Sequence, residues 1–539
     1  MRQLKIKKMK KIISIIILFA TISVANSCKD AYEIIQDGEF SESATFQTVN
    51  DMQKFLNNTY DRVDVSNEIG ISSVFTDELG IGSQNGGQNV SLYNFALTSG
   101  NGFASGMWLA HYSAINSANR LIEGAKLITP TDKPLAAPFD NFTEKQAYNS
   151  ILAQAYAIRA FCHFQLLCYF SPNIKDNNSL GVILLNKVPA VSEKLPRNTV
   201  GEVFASIESD LNFAYANINP VKLSSTSSSP YKYISKTFID ALRARMYLYR
   251  GNYTLAEQYA DTVINTSGLV LTPAGTVVTN ANGVANSAFY GSYTVASTSP
   301  YKSMLQDFTR GEIIMALDRP VGKAAIAAQF YFNRTNITGG PYMDLSRAVY
   351  NIINVPGDVR KHAFIDATAK IDPNYESYPW AQYLANDVLC IDKYSGKAGT
   401  ANGAELMSDL KLFRLSEMYF IKAECRVAAN DLTGAALRIK AVRDARNYLG
   451  PVALPVYANA TAALKDILTE RRVELALEGH RYLDLKRMGA SAGVTTTERH
   501  PKDVEGYANK NLSITDYRFT LPIPSDEING NPIQQNPGY

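Results

Sequence analysis

The chain has 539 residues, enough for three to four domains of roughly 150 residues each, which excludes a disulfide-stapled mini-protein. With 46% hydrophobic and 19% charged residues, its composition is that of a globular protein and not a disordered one. The formal net charge of +3 is misleading: Arg2, Lys5, Lys7, Lys8, Lys10 and Lys11 crowd the N-terminus, and no acidic residue precedes Asp30. Beyond residue 27 there are 47 basic and 50 acidic residues, a net of −3, so the footprint of a nucleic-acid binder is missing.

The first element in chain order is a leader. An apolar run of fourteen residues, Ile12 to Ala25, follows the basic cluster; it is short for a hydrocarbon core of ~30 Å and has the proportions of a secretory signal. Ala25-Asn26-Ser27-Cys28 then resembles a bacterial lipobox, which predicts a signal peptide over 1–27 and a lipid anchor on Cys28; an ordinary cleaved signal is the alternative. Each buried lipid methylene contributes ~0.8 kcal/mol, so several acyl chains hold a protein without a transmembrane helix. Lys29-Asp30 resembles the surface-export tag of some Gram-negative lipoproteins. The expected location is therefore the outer membrane, facing the cell surface.

Long amphipathic helices follow. Apolar spacing predicts helices over 147–170, 235–249, 254–265, 413–429 and 432–446, the last four as two hairpins broken at Gly251-Asn252 and Asn430-Asp431. At an offset of 179 residues the hairpins superpose, Ala244 on Ala423, Ala256 on Ala435 and Val263 on Val442. Small residues where two helices cross are the grammar of tetratricopeptide-like repeats. The fold class predicted is mostly α: a hairpin scaffold over about 45–265 and 345–490, long irregular loop-rich inserts and few short strands. Residues 80–106 and 267–345, rich in Gly, Ser, Thr, Asn and Tyr, are the inserts.

Cys162 and Cys168 stand six apart on one helix and face different ways, so no bridge between them is expected. The histidines are scattered, with no zinc-helix spacing, and no metal or cofactor is expected. Gly489-Ala490-Ser491-Ala492-Gly493 has the letters of a nucleophile elbow, but a helix and not a strand is expected before it. No catalytic residue is assigned, and the chain is not expected to be an enzyme.

The C-terminal residues are the most specific. Glu470-Arg471-Arg472-Val473-Glu474-Leu475 leads into Glu478-Gly479-His480-Arg481-Tyr482-Leu483-Asp484-Leu485-Lys486-Arg487, then Leu521-Pro522-Ile523-Pro524 and Gln535-Asn536-Pro537-Gly538-Tyr539 (the segment 515–539). With the hairpin Tyr231 to Ala260, Trp108-x-x-x-Tyr112-x-x-Ile115 and the lipobox, this resembles the SusD/RagB family of nutrient-binding outer-membrane lipoproteins along the whole of 28–539. Leu477 and Tyr482 depart from it, standing where the family more often has Phe and Trp. The resemblance implies a lid over a SusC-like TonB-dependent transporter that captures an oligosaccharide; a peptide ligand, or a protein-interaction scaffold with no small ligand, is the alternative.

Within the motif, Glu470, Glu474 and Glu478 are four apart, and Arg471 and Arg481 are expected to pair with them along one helix. Arg472 and Asp484 complete a group read as structural and not as an acid–base pair. Ligand contacts are expected instead from loop aromatics and amides: Asn85, Gln88, Tyr93, Tyr293, Tyr331, Tyr342 and Trp380. Trp108 is expected in the core.

Overall fold

The computed structural model describes residues 42–135, 142–190, 192–219, 230–281, 283–292, 294–320, 323, 325–331, 341–394, 396 and 407–539. The expected signal peptide over 1–27, Cys28 and Tyr293 lie outside them. Most of the chain is helical. In order run α1 (Val49–Arg62), α2 (Ser66–Phe75), α3 (Gly102–Ala125), α4 (Glu144–Phe170), α5 (Val200–Asn217), α6 (Lys236–Arg250), α7 (Tyr253–Thr266), α8 (Leu415–Ala428), α9 (Leu432–Arg446), α10 (Ala460–Glu474) and α11 (Arg481–Met488). From α3 to α10 each helix packs on the next in sequence, which makes a stacked array of hairpins.

Local chemistry explains the hairpins. α6 ends on Gly251 at φ 79°, and α8 is followed by Asn430 at φ 58°, the equivalent position 179 residues on. A left-handed residue there ends the helix, and Gly and Asn adopt that conformation most easily. The next residue in each case caps the second helix: Asn252 Oδ1 accepts from Leu255 N at 3.2 Å, and Asp431 Oδ1 from Gly434 N at 2.7 Å. Ala244, Ala256, Ala423 and Ala435 are wholly buried, so small side chains do let the paired helices approach.

α4 is the centre of the array. It is long and apolar enough to cross a membrane, yet 94% of its most apolar stretch is buried by the other helices. The C-terminal motifs clip onto its end. Asn536 Nδ2 donates to Phe170 O (2.9 Å) and Leu521 O (2.6 Å), and Leu521 N donates to Tyr169 O (2.9 Å). Gln535 closes the clasp by exchanging two hydrogen bonds with the Ile523 backbone. Tyr482 stacks on Tyr169 at 5.7 Å.

Three points refine the expectations. The helix expected over 413–429 begins only at Leu415, because Phe413 and Arg414 belong to a strand. The loop-rich 267–345 segment carries two of the few short strands expected. It supplies β2 (Ile313–Leu317), antiparallel to β4 (Leu410–Arg414), and β3 (Met343–Leu345), antiparallel to β1 (Leu79–Ile81). Both two-stranded ribbons are buried on both faces, so neither shows the polar alternation of a half-exposed strand. Third, the motif from Glu470 to Arg487 is not one helix. α10 stops at Glu474, Leu477 (φ 61°) and Gly479 (φ 87°) turn the chain, and α11 starts at Arg481.

That break redirects the charges. Ion pairs run between elements, not along one helix. Glu474 receives Arg414 (2.7 Å) and Arg446 (2.8 Å), Glu470 receives Arg360 (2.6 Å) and Arg443 (2.6 Å), and Glu478 receives Arg414 (2.9 Å) and Lys393 (2.6 Å). Arg471 meets Asp484 at 2.7 Å, and Arg481 holds Asp77 at 2.8 Å. Burial alone would raise Asp77, but Arg472 and Arg481 hold its carboxyl well below the usual range.

Glu78 beside it behaves oppositely. Burial pushes its carboxyl up to about 7, and the Asp77 charge adds to this against Arg481 and Lys393. Folding thus favours the protonated form, and stability drains as pH rises from the free value of 4.5 through 7. Glu78→Gln removes this titration. Melting differences from the parent should be small at about pH 5 and should favour the variant by up to about 3 kcal/mol at about pH 8. A difference that does not change with pH contradicts the assignment.

Candidate functional site

The loops expected to meet a ligand gather around the β1–β3 ribbon. Gly80 pairs with Asp344 across it, and the Asp503 side chain lies over Gly80, where a Cβ would come within 3.0 Å of Oδ1. Beyond β1 the chain folds back: Gly82 N and Gln84 N donate to Tyr342 O (2.9 Å) and Pro341 O (3.2 Å). Asn85 spends both amide hydrogens on this turn, on Tyr342 O (2.9 Å) and Gln88 O (3.0 Å), while its oxygen accepts from Gly87 N (2.9 Å). Gln88 accepts from Gly86 N at 2.5 Å and is otherwise exposed. Asn89 (φ 59°) and Phe95 (φ 64°) hold left-handed backbone here, a concentration of strain typical of working loops.

Aromatic rings join this loop to two others. Tyr93 meets Tyr507 edge-to-face at 5.4 Å, and Tyr507 meets Trp380 at 5.7 Å and 90°. Trp380 is half-buried with its ring backed by Gly506, where a Cβ would stand 2.8 Å from the ring. Its indole N–H has no hydrogen-bond partner among the described residues. Tyr342 is half-buried as well. The structure therefore brings Asn85, Gln88, Tyr93, Tyr342 and Trp380 into one region from segments more than 250 residues apart.

Two of the nominated tyrosines are not platforms. Tyr93 is fully buried: its hydroxyl donates to Asp503 O (3.1 Å) and its ring lies 4.0 Å from the Arg499 guanidinium. Tyr331 is buried too, with its hydroxyl on Tyr394 O at 3.2 Å. A buried phenol needs such a partner, and the composition of a loop does not show which tyrosines find one. Trp108 is in the core as expected, between Tyr112 and Phe170, with its N–H on Glu527 at 3.1 Å.

Sequence reasoning missed Tyr507, which links the rings, and Asp503, which ties the loops together. Asp503 Oδ1 accepts from Tyr383 OH (2.7 Å), and Oδ2 from Ser346 Oγ (2.9 Å) and Arg347 N (3.0 Å). Burial raises its carboxyl to about 6 despite those three bonds, with the Asp387 charge adding to the rise. Arg347 neutralises Asp387 at 2.9 Å and lies 3.7 Å over the Tyr375 ring. Nothing in the local sequence, His500 to Lys510, marked this hub, because all its partners are remote.

Two further groupings among the described residues have the letters of catalytic sites but not their geometry. Ser491 follows helix α11, not a strand. His111, Cys162 and Glu68 do cluster, but all three are buried within α2, α3 and α4. Burial there opposes the imidazolium, and Glu68 beside it nevertheless raises His111 to about 10. This is a charge pair inside the scaffold. Among the described residues no group of His, Cys, Asp and Glu is placed to hold a metal ion.

The structure is a stacked array of helical hairpins that carries a half-buried aromatic and amide loop cluster on buried ribbons. Comparison with known proteins places it further. A family model described as the SusD family matches residues 366–539, and one described as "Starch-binding associating with outer membrane" matches residues 24–248. SusD-like protein P2 of Formosa agariphila is 26% identical over 99% of this chain and 100% of the relative. SusD-like protein P38 of the same organism is 23% identical over 90% and 93%. In solved structures, a SusD superfamily protein of Bacteroides thetaiotaomicron aligns with TM-score 0.67, 22% identity and coverage of 91% and 100%. A SusD-like carbohydrate binding protein of Bacteroides vulgatus aligns with TM-score 0.63, 17% identity and coverage of 90% and 97%. SusD-type family models thus match both the N-terminal and the C-terminal part of this chain.

Proposed function

We propose that this protein is an outer-membrane lipoprotein, anchored through Cys28, that captures an oligosaccharide and passes it to a SusC-like TonB-dependent transporter. The matches to SusD-type family models, one of them described by starch binding and outer-membrane association, support the reading. The observation that carries it is the loop cluster. Trp380 offers a part-exposed ring fixed from behind by Gly506 and Tyr507, and the Gln88 amide on the neighbouring loop is exposed. Apolar faces of sugar rings stack on such indoles, and amides meet hydroxyls. The helical array beneath holds these groups still.

Isothermal calorimetry of the purified protein against oligosaccharides and short peptides tests the capture role. A saccharide should bind, and Trp380→Ala should weaken it about tenfold or more. Heat from peptides alone would favour a peptide-capturing protein, and full binding by the Trp380 variant would move the site elsewhere. For the anchor, Cys28→Ala is expected to leave a folded protein in the soluble fraction. Its retention on outer membranes after a salt wash would refute lipid attachment at that cysteine.

A further inference from the structure

A groove opens on the helical array itself, between the end of α6, the start of α7, the C-terminal half of α8, the start of α10 and α11. It comprises two adjoining cavities of about 360 and 180 Å³ that share Lys175 and Arg487 as walls. Their size enters the range of small-molecule sites, roughly 300–1,000 Å³. No residue of the loop cluster around Trp380 lines either cavity.

The charges in the groove do not cancel. Arg487 is saturated by Glu424 (2.9 Å) and Asp484 (2.7 Å), and both Glu424 oxygens are turned to it. Two lysines remain. Lys175 is exposed and makes no ion pair among the described residues. Lys486 also meets no carboxylate: its ammonium donates to Cys168 O (3.2 Å) and Ser171 O (2.8 Å) at the end of α4, which leaves one of three N–H donors unspent. Burial lowers its pKa to about 8, the signature of a cation short of an anion.

The rest of the lining is mainly apolar or aromatic, with Asn173 and Ser491 as its polar members. Tyr253 is 39% exposed at the mouth, above Leu248, Leu464 and Met488. Two uncompensated cations at one end and a tyrosine with aliphatic side chains at the other suit an organic anion whose ring presents an apolar face.

We propose that this groove is a second ligand site, separate from the loop cluster, that takes a carboxylate-bearing sugar ring. The carboxylate bridges Lys175 and Lys486, and the ring lies along Tyr253. The proposal stands apart from oligosaccharide capture at Trp380, and the two are tested on different residues.

The test uses the full chain in detergent, with saturation-transfer NMR and titration of D-glucuronate, D-glucose and inorganic phosphate. Glucuronate should bind at least about tenfold more tightly than glucose, as expected for charge-assisted hydrogen bonds. Lys175→Ala, at an exposed position, should weaken glucuronate about tenfold, and Tyr253→Ala should weaken it while Trp380→Ala leaves it unchanged. Lys486→Met provides a second arm, with circular dichroism to check that α4 stays folded. Equal binding of glucose and glucuronate, or indifference to both lysine changes, overturns the proposal. Phosphate competing as well as glucuronate would overturn the sugar-ring part and leave a bare anion site.

Discussion

Glu474→Gln is expected to lower the unfolding free energy by about 3–5 kcal/mol, the cost of breaking a buried, hydrogen-bonded ion pair. Glu474 is wholly buried at the end of α10 and accepts from Arg414 and Arg446, with Arg360 at 3.4 Å. Around it Arg360, Arg414, Arg443, Arg446 and Lys393 balance Asp358, Glu312, Glu470, Glu474 and Glu478. Glutamine keeps the shape, removes one charge and turns an amide donor toward guanidinium groups that accept nothing. The pair's own net worth against an apolar core is a separate matter; the loss comes from stranding arginines in a dry interior. Denaturant unfolding measures it. Glu505→Gln, at an exposed pair with Lys502 (2.7 Å), serves as the control and should shift stability by less than about 1 kcal/mol. Equal effects of the two substitutions would show that the network adds nothing.

The second large effect is at Asp503. Asp503→Ala should destabilise the protein by about 3 kcal/mol, because Ser346, Tyr383 and the Arg347 amide all lose their acceptor in a buried setting. It should also abolish the proposed saccharide binding, since its side chain ties the Trp380–Asn386 helix, through Tyr383, to Ser346 at the end of β3. Asp503→Asn discriminates between charge and geometry. Its carboxamide oxygen can still accept from Ser346 and the Arg347 amide, and its nitrogen can donate to Tyr383 once that hydroxyl rotates. Near-parental stability, within about 1 kcal/mol, is expected for Asn. An Asn variant as damaged as the Ala variant would mean that the carboxylate charge, and not the bonding pattern, holds the loops.

The helical scaffold was legible because its determinants are local. Gly251 and Asn430, the caps Asn252 and Asp431, and the buried alanines at crossings are all specified within a few residues of chain. The errors came where local pattern competes with remote partners. Phe413 and Arg414 fit a helical period, yet β2 is the partner that pulls them into a strand. Glu470, Glu474 and Glu478 fit an i, i+4 ladder, but Leu477 and Gly479 end the helix and their partners come from Arg360, Arg414 and Arg446.

The candidate site divides along the same line. The composition of 80–106 and 267–345 marked loops with aromatics and amides, and five of the six nominated residues that the structure describes converge. Which rings stay half-exposed depended on tertiary contacts: Tyr93 and Tyr331 are buried by Asp503, Arg499 and Tyr394, whereas Trp380 and Tyr342 are not.

By itself, then, the sequence determined the hairpin scaffold and the SusD-like resemblance, both of which are written in contiguous motifs. The tertiary structure decided the pairing of the buried charges, the hub at Asp503 and the uncompensated lysines of the groove. Burial and long-range electrostatics depend on which distant segments exclude water from a group, and spacing along the chain carries no record of that.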